Sequence, residues 1–545
     1  MKLNNFENNS RRAPIISRYG IAAASQPLAV AAGLKILAQG GNAADAAVAV
    51  AAGLNVTEPG STGLGGDAFC LYYEAATRQI YALNGSGRAP EALTLKRIHR
   101  DGFSNGLPRF HPYTATVPGA CAAWCDTVER FGKLNLAQVL APAIELAEEG
   151  YPVAPQTSLG WQNAAARGQL ATAVNGRELT IDGRGPKPGE IFRNPGLARA
   201  MRLIAAGGKD AYYRGPIAQS IVDILHEAGG CMELADLAEH TSTWDEPIST
   251  TYHGLRFWEC PPNGQGIAAL MALNLLEGFD IAGQDMNSAQ RLHLLIESMR
   301  LAFADVRQYV ADPRVVNVPI QELLSKEYAA RRREWIDPFR ANPAISHGVP
   351  LASSDTVYLS VVDAQGNACS FINSNYMGFG TGIVPRGWGF SLQNRGHNFS
   401  LVAGHPNQVE PRKRPYHTII PAMITREDDG SLFASYGVMG GFMQPQGHMQ
   451  VAVALTDDDL DPQSALDRPR FCIEPDETGS LVSLEEGIPV KVMAQLVEMG
   501  HTVRPVSDHG RTLFGRGQVI YRDNLSGVLW GGSDPRSDGC AMTAM

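Results

Sequence analysis

The pattern of hydrophobic and polar residues changes after about residue 355 of the chain. Before this point apolar residues recur at helical spacing, and after it short apolar runs are separated by Gly and Asp turns, which is typical of strands. The pattern predicts helices at 27–39, 43–55, 136–149, 195–206, 217–228, 288–311, 447–455 and 489–499. It predicts strands at 68–74, 419–424, 432–438, 518–521 and 527–530. Strands followed by helices that cover them favour a layered α+β fold.

A further strand is predicted at 355–363, followed by a glycine-containing turn and a returning strand at 368–373. Thr356 lies at the start of this hairpin, where a β-branched residue is ordinary in itself. Its chemistry would change if the peptide bond between Asp355 and Thr356 were cut. The freed α-amine, with an unperturbed pKa of roughly 7.7–8.0, would be a base beside the hydroxyl, which could then attack an amide carbonyl. An internal Thr356 with this role implies a proenzyme.

The segment before this threonine has a different composition. Residues 338–354 are rich in Pro, Gly, Ser and Asn with little periodicity, which predicts a mobile segment ahead of a cleavage point. Cleavage would give a large subunit, 1–355, and a small subunit, 356–545. We expect the two to stay together as one folded unit because each holds only part of the core.

Composition excludes several classes of protein. The 545 residues are 44% hydrophobic, and the net charge of −9 argues against nonspecific binding to nucleic acid or an anionic membrane. Residues 1–14 lack the apolar core of a signal peptide, and no long apolar run indicates a membrane span. The eight cysteines form no C-x-x-C pair, which predicts reduced thiols in a cytoplasmic protein. No paired Cys or His spacing indicates a metal.

Several motifs together resemble the γ-glutamyltransferase family. They lie at 40–46, 59–67, 88–90, 116–119, 356–363, 379–382, 440–441 and 533–536. The resemblance extends over nearly the whole chain and implies a four-layer αββα sandwich. It also implies a precursor that cuts itself before the threonine, so that two chains form a heterodimer, with further oligomerisation left open. No cofactor is expected, because protein groups can supply the nucleophile, the base and the oxyanion donors.

The resemblance also implies catalytic roles. Thr356 is the expected nucleophile, and Ser374 falls where the family has a hydroxyl that hydrogen-bonds it. Gly440 and Gly441 match the pair whose backbone N–H groups form the oxyanion hole, and glycine allows that close approach.

Substrate-binding residues follow from the same resemblance. Arg88 is the candidate for the arginine that grips the substrate carboxylate, since an Arg fork suits a carboxylate bidentately. The family usually places that arginine two residues earlier, where this chain has Ser86. Arg88 and Ser374 are therefore also open to interpretation as ordinary loop residues.

Five positions depart from the common γ-glutamyl pattern, and all of them are expected to line the substrate pocket: Tyr376, Arg395, Asn398, His417 and Thr418. Asn398 replaces the carboxylate that holds the substrate ammonium, while Arg395 adds a cation where a neutral Gln is common. This pocket is poorer for an ammonium group and better for an anion. We therefore expect an amidohydrolase acting on a small amide that carries a carboxylate, such as oxamate.

Other functions stay open at this point. A true γ-glutamyl transferase or glutathione hydrolase, a cephalosporin-type acylase and a noncatalytic member all fit the motifs. The sequence does not decide between water and an amine as the acceptor. A serine hydrolase is disfavoured, because the one G-x-S-x-G match, at 102–106, follows a polar stretch and not a buried strand.

Overall fold

The structure is a computed structural model that describes residues 12–342, 345, 355–474 and 481–545. Its strands are β1 Ile15–Ser17, β2 Gly20–Ala24, β3 Asp67–Glu74, β4 Gln79–Gly85, β5 Tyr151–Pro152, β6 Ile191–Phe192, β7 Thr243–Asp245, β8 Ile248–Tyr252, β9 Leu255–Glu259, β10 Asp355–Asp363, β11 Ala368–Tyr376, β12 Ala422–Arg426, β13 Leu432–Met439, β14 Phe471–Ile473, β15 Leu481–Glu485, β16 Thr502–Val506, β17 Arg516–Arg522, β18 Leu529–Ser533 and β19 Cys540–Thr543.

The helices cover both outer faces of the molecule. They are α1 Pro27–Ala38, α2 Ala43–Thr57, α3 Leu95–Arg100, α4 Ala120–Phe131, α5 Leu136–Glu149, α6 Pro155–Ala166, α7 Gln169–Thr172, α8 Pro195–Tyr213, α9 Pro216–Glu227, α10 Leu234–Ala238, α11 Gly266–Leu276, α12 Ala289–Tyr309, α13 Ile320–Leu323, α14 Lys326–Arg333, α15 Met443–Thr456, α16 Pro462–Asp467 and α17 Val490–Glu498. None of the described helices is both long and apolar enough to cross a membrane.

Two seven-stranded antiparallel sheets form the centre of the molecule. The first has the strand order β19-β2-β10-β11-β3-β4-β7, and the second has the order β1-β18-β17-β13-β12-β9-β8. Helices α1, α2 and α4 pack on the first sheet, and α11, α15 and α16 pack on the second. The expected four-layer αββα sandwich is therefore confirmed. Each sheet contains strands from both sides of residue 356, so neither segment completes a sheet alone.

Strand β10 illustrates why the layers form. Successive side chains of a strand point to opposite faces. Val357, Leu359 and Val361 accordingly join the apolar cluster beneath the helices, while Tyr358 and Val362 join the cluster between the two sheets. A strand that is buried on both faces reads as a nearly continuous apolar run, and β10 fits this from Val357 to Val362 with one interruption at Ser360.

The helix against this strand is stabilised at its start. The Asn42 side chain accepts the N–H groups of Ala44 and Asp45 at 3.0 and 3.2 Å, and the Asp45 carboxylate accepts the Asn42 N–H at 3.0 Å. This capping box begins α2. The carboxylate of Asp363, at the end of β10, accepts the Ala43 N–H at 3.0 Å, so the same helix start is fixed to the strand that begins with Thr356.

Several predicted boundaries differ from the structure by a few residues, and two of these differences have a clear physical cause. The strand predicted at 419–424 begins only at Ala422, because the Ile419 N–H bonds the His417 side chain and the Ile420 N–H bonds the Gln444 side chain. The helix predicted at 195–206 continues to Tyr213 across a kink where Gly208 has a φ of 59°. The prediction for 338–354 falls largely outside the described residues.

Candidate active site

Thr356 and Ser374 lie side by side at the end of the β10–β11 pair. Their hydroxyl oxygens are 3.0 Å apart, and both residues are fully buried. The pairing shifts register between Asp355 and Val357, so that an extra β11 residue lies opposite Thr356. Such a bulge re-aims side chains at the end of a sheet.

Ser374 also contacts its own strand and Arg395. Ser374 Oγ accepts the Tyr376 N–H at 2.8 Å and an Arg395 Nη2–H at 3.2 Å. The hydroxyl that faces Thr356 is therefore also bonded to a buried guanidinium, and either hydroxyl can donate across the 3.0 Å contact.

Arg395 is a buried cation beside these hydroxyls. It is 0% exposed, donates from Nη1 to Thr418 Oγ1 at 2.6 Å, and lies over the Tyr376 ring at 4.3 Å. Its Nε–H has no hydrogen-bond partner among the described residues. Burial lowers the Arg395 pKa to about 10, which leaves the group charged at neutral pH. A buried guanidinium whose side-chain hydrogen bonds, among the described residues, go to hydroxyls and not to a carboxylate is suited to an anionic ligand.

A neutral His417 and an ionised Asp67 form the next layer. The His417 Nε2 is 2.9 Å from the Asp67 carboxylate, and its Nδ1 accepts the Ile419 N–H at 3.3 Å, so the ring proton is on Nε2. Burial and the positive charge of Arg395 lower the His417 pKa to about 3. Burial alone would raise the Asp67 pKa, but the hydrogen bond from His417 and the positive charge of Arg395 hold it below its usual value. The pair therefore positions the 417–418 segment and is poorly suited to shuttling a proton.

Asn398 is engaged by its neighbours and does not present a free amide. Its Oδ1 accepts the Tyr376 hydroxyl at 2.5 Å, and its Nδ2 donates to the Tyr416 carbonyl at 3.1 Å. Tyr376 has a φ of 77°, and burial raises its pKa to about 12, so the hydroxyl keeps its proton. Tyr376 thus takes up the amide oxygen of the residue that the family resemblance aligns with an ammonium-binding carboxylate.

Gly440 and Gly441 form the turn between β13 and α15. Their φ angles are 135° and 61°, values that favour glycine, and a Cβ at Gly440 would lie 3.2 Å from the Gly515 Cα. The Gln265 side chain donates to the carbonyls of Gly441 and Thr418 at 2.8 and 2.6 Å. This amide holds the glycine turn against the segment that contacts Arg395, although nothing in the sequence marked it.

A first cavity of about 640 Å³ opens next to Gly440. Phe379, Phe442 and Trp161 line part of it, and Glu58 and Arg516 give it polar groups. The Glu58 carboxylate is 3.7 Å from Arg516, and burial raises the Glu58 pKa. Glu58 adjoins the glycine-rich 59–67 motif, but only the fold reveals that it faces a cavity.

Arg88 lies elsewhere. It lines a second cavity of about 320 Å³ and donates from Nη1 to the Thr241 carbonyl at 3.4 Å. Ser86, two residues earlier, is buried and accepts the Asn263 side chain at 3.1 Å. Hydrogen bonds connect Thr356 through Ser374, Arg395, Thr418 and Gln265 to Gly441. The role of Arg88 in binding the substrate stays a prediction.

One His/Glu cluster in the described part of the chain has the composition of a metal site: His293, Glu297 and His501. Its hydrogen bonds are complete without an ion. His293 Nε2 faces the Asp337 carbonyl at 2.8 Å, so Nδ1 accepts from His501 Nε2, also at 2.8 Å. Arg300 donates to Glu297 at 2.8 Å and places a cation within the cluster, which opposes a metal ion.

Comparison with known proteins places this arrangement in a family. The family model described as Gamma-glutamyltranspeptidase matches residues 29–544. The chain is 38% identical to the Glutathione hydrolase-like YwrD proenzyme of Bacillus subtilis, over 94% of this chain and 96% of the relative. It is 33% identical to the Oxamate amidohydrolase proenzyme of Klebsiella pneumoniae, over 96% and 98%.

A solved structure matches equally completely. The crystal structure of a cephalosporin acylase from Bacillus halodurans has a TM-score of 0.91 and 44% identity, and the match covers 99% of this chain and 98% of that one. Fold, motifs and relatives agree that the chain is an enzyme with the N-terminal-nucleophile architecture.

Proposed function

The chain belongs to the γ-glutamyltranspeptidase family, and on that premise we propose that it is a self-processing amidohydrolase whose nucleophile is Thr356. Its substrate is a small amide with a carboxylate in the acyl half, of which oxamate is the simplest example. Water resolves the acyl-enzyme. The observation that carries the substrate class is the environment of Arg395.

Arg395 is two hydrogen bonds from the nucleophile, through Ser374. A substrate carboxylate held by this guanidinium leaves room for only a short acyl chain before the scissile carbonyl. Replacing the hydroxyl contacts of a buried cation by a carboxylate strengthens its hydrogen bonds, because both partners are then charged. Asn398 carries no negative charge to attract an ammonium group, and its amide is already hydrogen-bonded to Tyr376 and Tyr416. Both facts disfavour γ-glutamyl substrates.

The sequence around the proposed cleavage point agrees with this substrate class. Asp355 would be the first acyl group that the threonine receives, and aspartate itself carries a carboxylate close to the reacting carbonyl. Self-processing and turnover would then place acyl groups of similar chemistry in one site.

Processing begins when Thr356 Oγ attacks the Asp355 carbonyl carbon. The C–N bond breaks, the nitrogen takes a proton and becomes an α-amine, and the Asp355 carboxyl is left as an ester on Oγ. Water hydrolyses this ester and frees the hydroxyl. Two chains, 1–355 and 356–545, remain interleaved in both sheets.

Turnover repeats the chemistry on the substrate. The α-amine takes the Oγ proton as Oγ attacks the amide carbonyl, and the N–H groups of Gly440 and Gly441 receive the developing oxyanion. The leaving nitrogen takes a proton as the C–N bond breaks. Ser374 steadies Oγ in each step, and water then hydrolyses the acyl ester.

The relative named an oxamate amidohydrolase supports the substrate class, since oxamate carries a carboxylate directly on the scissile carbonyl. A second candidate substrate is a cephalosporin amide, as the name of the solved neighbour indicates. The aromatic lining of the first cavity favours it, because the cavity has room for a bulky leaving amine beside Gly440.

The first experiment is a denaturing gel with intact-mass measurement of the purified protein. Two chains with a junction between Asp355 and Thr356 are expected. A chain of 545 residues that stays intact on incubation would contradict self-processing and bring the noncatalytic alternative forward.

The second experiment compares kcat/KM for oxamate, succinamate, neutral butanamide, a γ-glutamyl anilide and cephalosporin C. The two small carboxylated amides are expected to exceed butanamide by about 100-fold, the effect of a charged hydrogen-bonded pair. Efficient turnover of the γ-glutamyl anilide that depends on its free α-amine would refute the proposed substrate class. Added dipeptide acceptors test for transfer in place of hydrolysis.

A further inference from the structure

The second cavity, defined above by Arg88, brings several arginine side chains together. Arg88 and Arg314 line it, and Arg414 is close enough to both for their charges to affect it. Burial and the charge of Arg314 lower the Arg88 pKa to about 10, and burial with both neighbours lowers the Arg414 pKa to about 9. Three guanidinium groups are thus close enough to destabilise one another.

The three carboxylates that line this cavity, Asp236, Glu239 and Asp312, equal its three lining arginines in number, but among the described residues none of them forms a hydrogen bond or ion pair with Arg88. Asp312 is the interior carboxylate, and it accepts both the Arg314 side chain, at 3.2 and 3.3 Å, and the Arg414 N–H at 2.9 Å. The other acidic groups lie at the exposed rim. Glu91 and Glu239 pair there with Arg412 at 2.6 and 2.9 Å, while Asp236 accepts the backbone N–H groups of Glu91 and Glu233 at 2.9 and 2.8 Å.

Several N–H donors that face the cavity have no hydrogen-bond acceptor among the described residues. Within the described residues, the hydrogen bond of Arg88 is the 3.4 Å contact to the Thr241 carbonyl, although a guanidinium has five N–H donors. His240 also lines the cavity and is only 8% exposed, yet neither ring nitrogen has a hydrogen-bond partner among the described residues. Arg414, by contrast, is fixed by the carbonyls of Ser86 and Asn84.

We propose that the second cavity is a binding site for a small oxyanion, a carboxylate or a phosphate, held by Arg88, Arg314 and His240. The two guanidinium groups supply charge and paired N–H donors, and the imidazole donates one N–H without carrying charge. The anion relieves the repulsion among the three arginines and gives buried His240 a partner. This site is separate from the proposed catalytic site, so either proposal can fail alone.

The test is isothermal titration calorimetry of the purified full-length protein with sodium phosphate and, in a second arm, sodium malonate. Sodium chloride holds the ionic strength constant. Arg314→Gln removes one guanidinium from a partly exposed position and should weaken binding about tenfold, as expected for one charged hydrogen-bonded contact. The two arms distinguish a phosphate from a carboxylate ligand.

Arg386→Gln is the matched control. This substitution removes the same charge as Arg314→Gln. Like Arg314, Arg386 pairs with one carboxylate, that of Glu227 at 2.7 Å, and is similarly exposed, but on another part of the surface. Its anion affinity should equal that of the parent protein. A crystal structure grown with phosphate should show the anion between Arg88 and Arg314. Binding that is absent in both arms, or that falls equally in both variants, would overturn the proposal.

Discussion

Arg395 and Arg88 were both predicted to bind the substrate, and their surroundings differ. Arg395 is fully buried, bonds the hydroxyls of Ser374 and Thr418, and lies two hydrogen bonds from Thr356. Arg88 lines a cavity with other arginines, and its hydrogen bond within the described residues is to a carbonyl. The same type of side chain therefore lies beside the Thr356–Ser374 pair in one place and in a separate cavity in the other. The two arginines differ in the residues that surround them in space, and these residues cannot be read from the local sequence.

Removing the nucleophile should have the largest effect. Thr356→Ala is expected to abolish both self-processing and turnover, because no hydroxyl remains at this position. Thr356→Ser keeps the hydroxyl and should retain some of each. Intact mass and amide hydrolysis measure the two activities. Since the second cavity does not involve Thr356, phosphate affinity should be the same in Thr356→Ala as in the parent, and a parallel loss would link the two regions.

The two arginines can be separated by substitution. Arg395→Gln is expected to lower kcat/KM for carboxylated amides by about 100-fold, mainly through KM, because the charged contact to the substrate is lost. Butanamide turnover should change much less. Arg88→Gln should reduce turnover of the carboxylated amides by less than tenfold.

Circular dichroism and complete processing establish that these variants fold. If Arg88→Gln instead raises KM as strongly as Arg395→Gln, Arg88 reaches the substrate after all, as the family resemblance first implied. The comparison between the two regions would then be wrong.

A change at Asn398 sharpens the same comparison. Asn398→Asp adds a carboxylate near Arg395 and is expected to shift the preference toward α-amino substrates by about tenfold, since an acid favours an ammonium group and repels a second carboxylate. The ratio of kcat/KM for the γ-glutamyl anilide and oxamate measures this shift. An unchanged ratio would mean that Asn398 does not face the substrate.

The smallest expected effect is on stability in acid. Burial lowers the pKa of His240 and of His417 to about 3, against 6.5 in an unfolded chain. The unfolded state therefore binds more protons below pH 6.5, and stability falls from there toward pH 3. Each histidine should account for about 1 kcal/mol between pH 7.5 and 5.5.

Urea unfolding at these two pH values measures the loss. His240→Phe should reduce it, because phenylalanine takes no proton in the unfolded chain. An equal loss in this variant and the parent would contradict a buried neutral His240. His240→Phe should also weaken phosphate binding, because His240 is one of the proposed ligands of the anion in the second cavity.

Much of the fold was predictable because its signals are local. The β10–β11 hairpin, helices α1, α2, α5, α8 and α9 and the strand at 432–438 follow from periodicity and turn residues. Helices α4 and α6 were not predicted. The start of β12 was predicted three residues too early, because side chains of His417 and Gln444 take the N–H groups that a strand would use. The periodicity of apolar residues does not show that side chains compete with a neighbouring strand for backbone N–H groups.

The catalytic geometry was predictable only in part. The contact between Thr356 and Ser374 was expected from the family resemblance, and the strand predicted at 368–373 ends just before Ser374. The structure shows the two hydroxyls 3.0 Å apart. Asp67 was part of a recognised motif, but its contact with His417 joins residues 350 positions apart. Gln265 and Glu58 carried no signal at all, since a glutamine or a glutamate is ordinary until its burial is known.

The sequence by itself determined the layered α+β class, the family and the candidate nucleophile, because alternation, glycine turns and motif spacing are written along the chain. Tertiary structure alone decided which polar groups meet. It placed Arg395 over Tyr376, occupied the Asn398 amide and directed Arg88 to another cavity. The physical reason is that burial and partner choice depend on the packing of distant segments, and these two factors set the charge and hydrogen bonding of every group in the site.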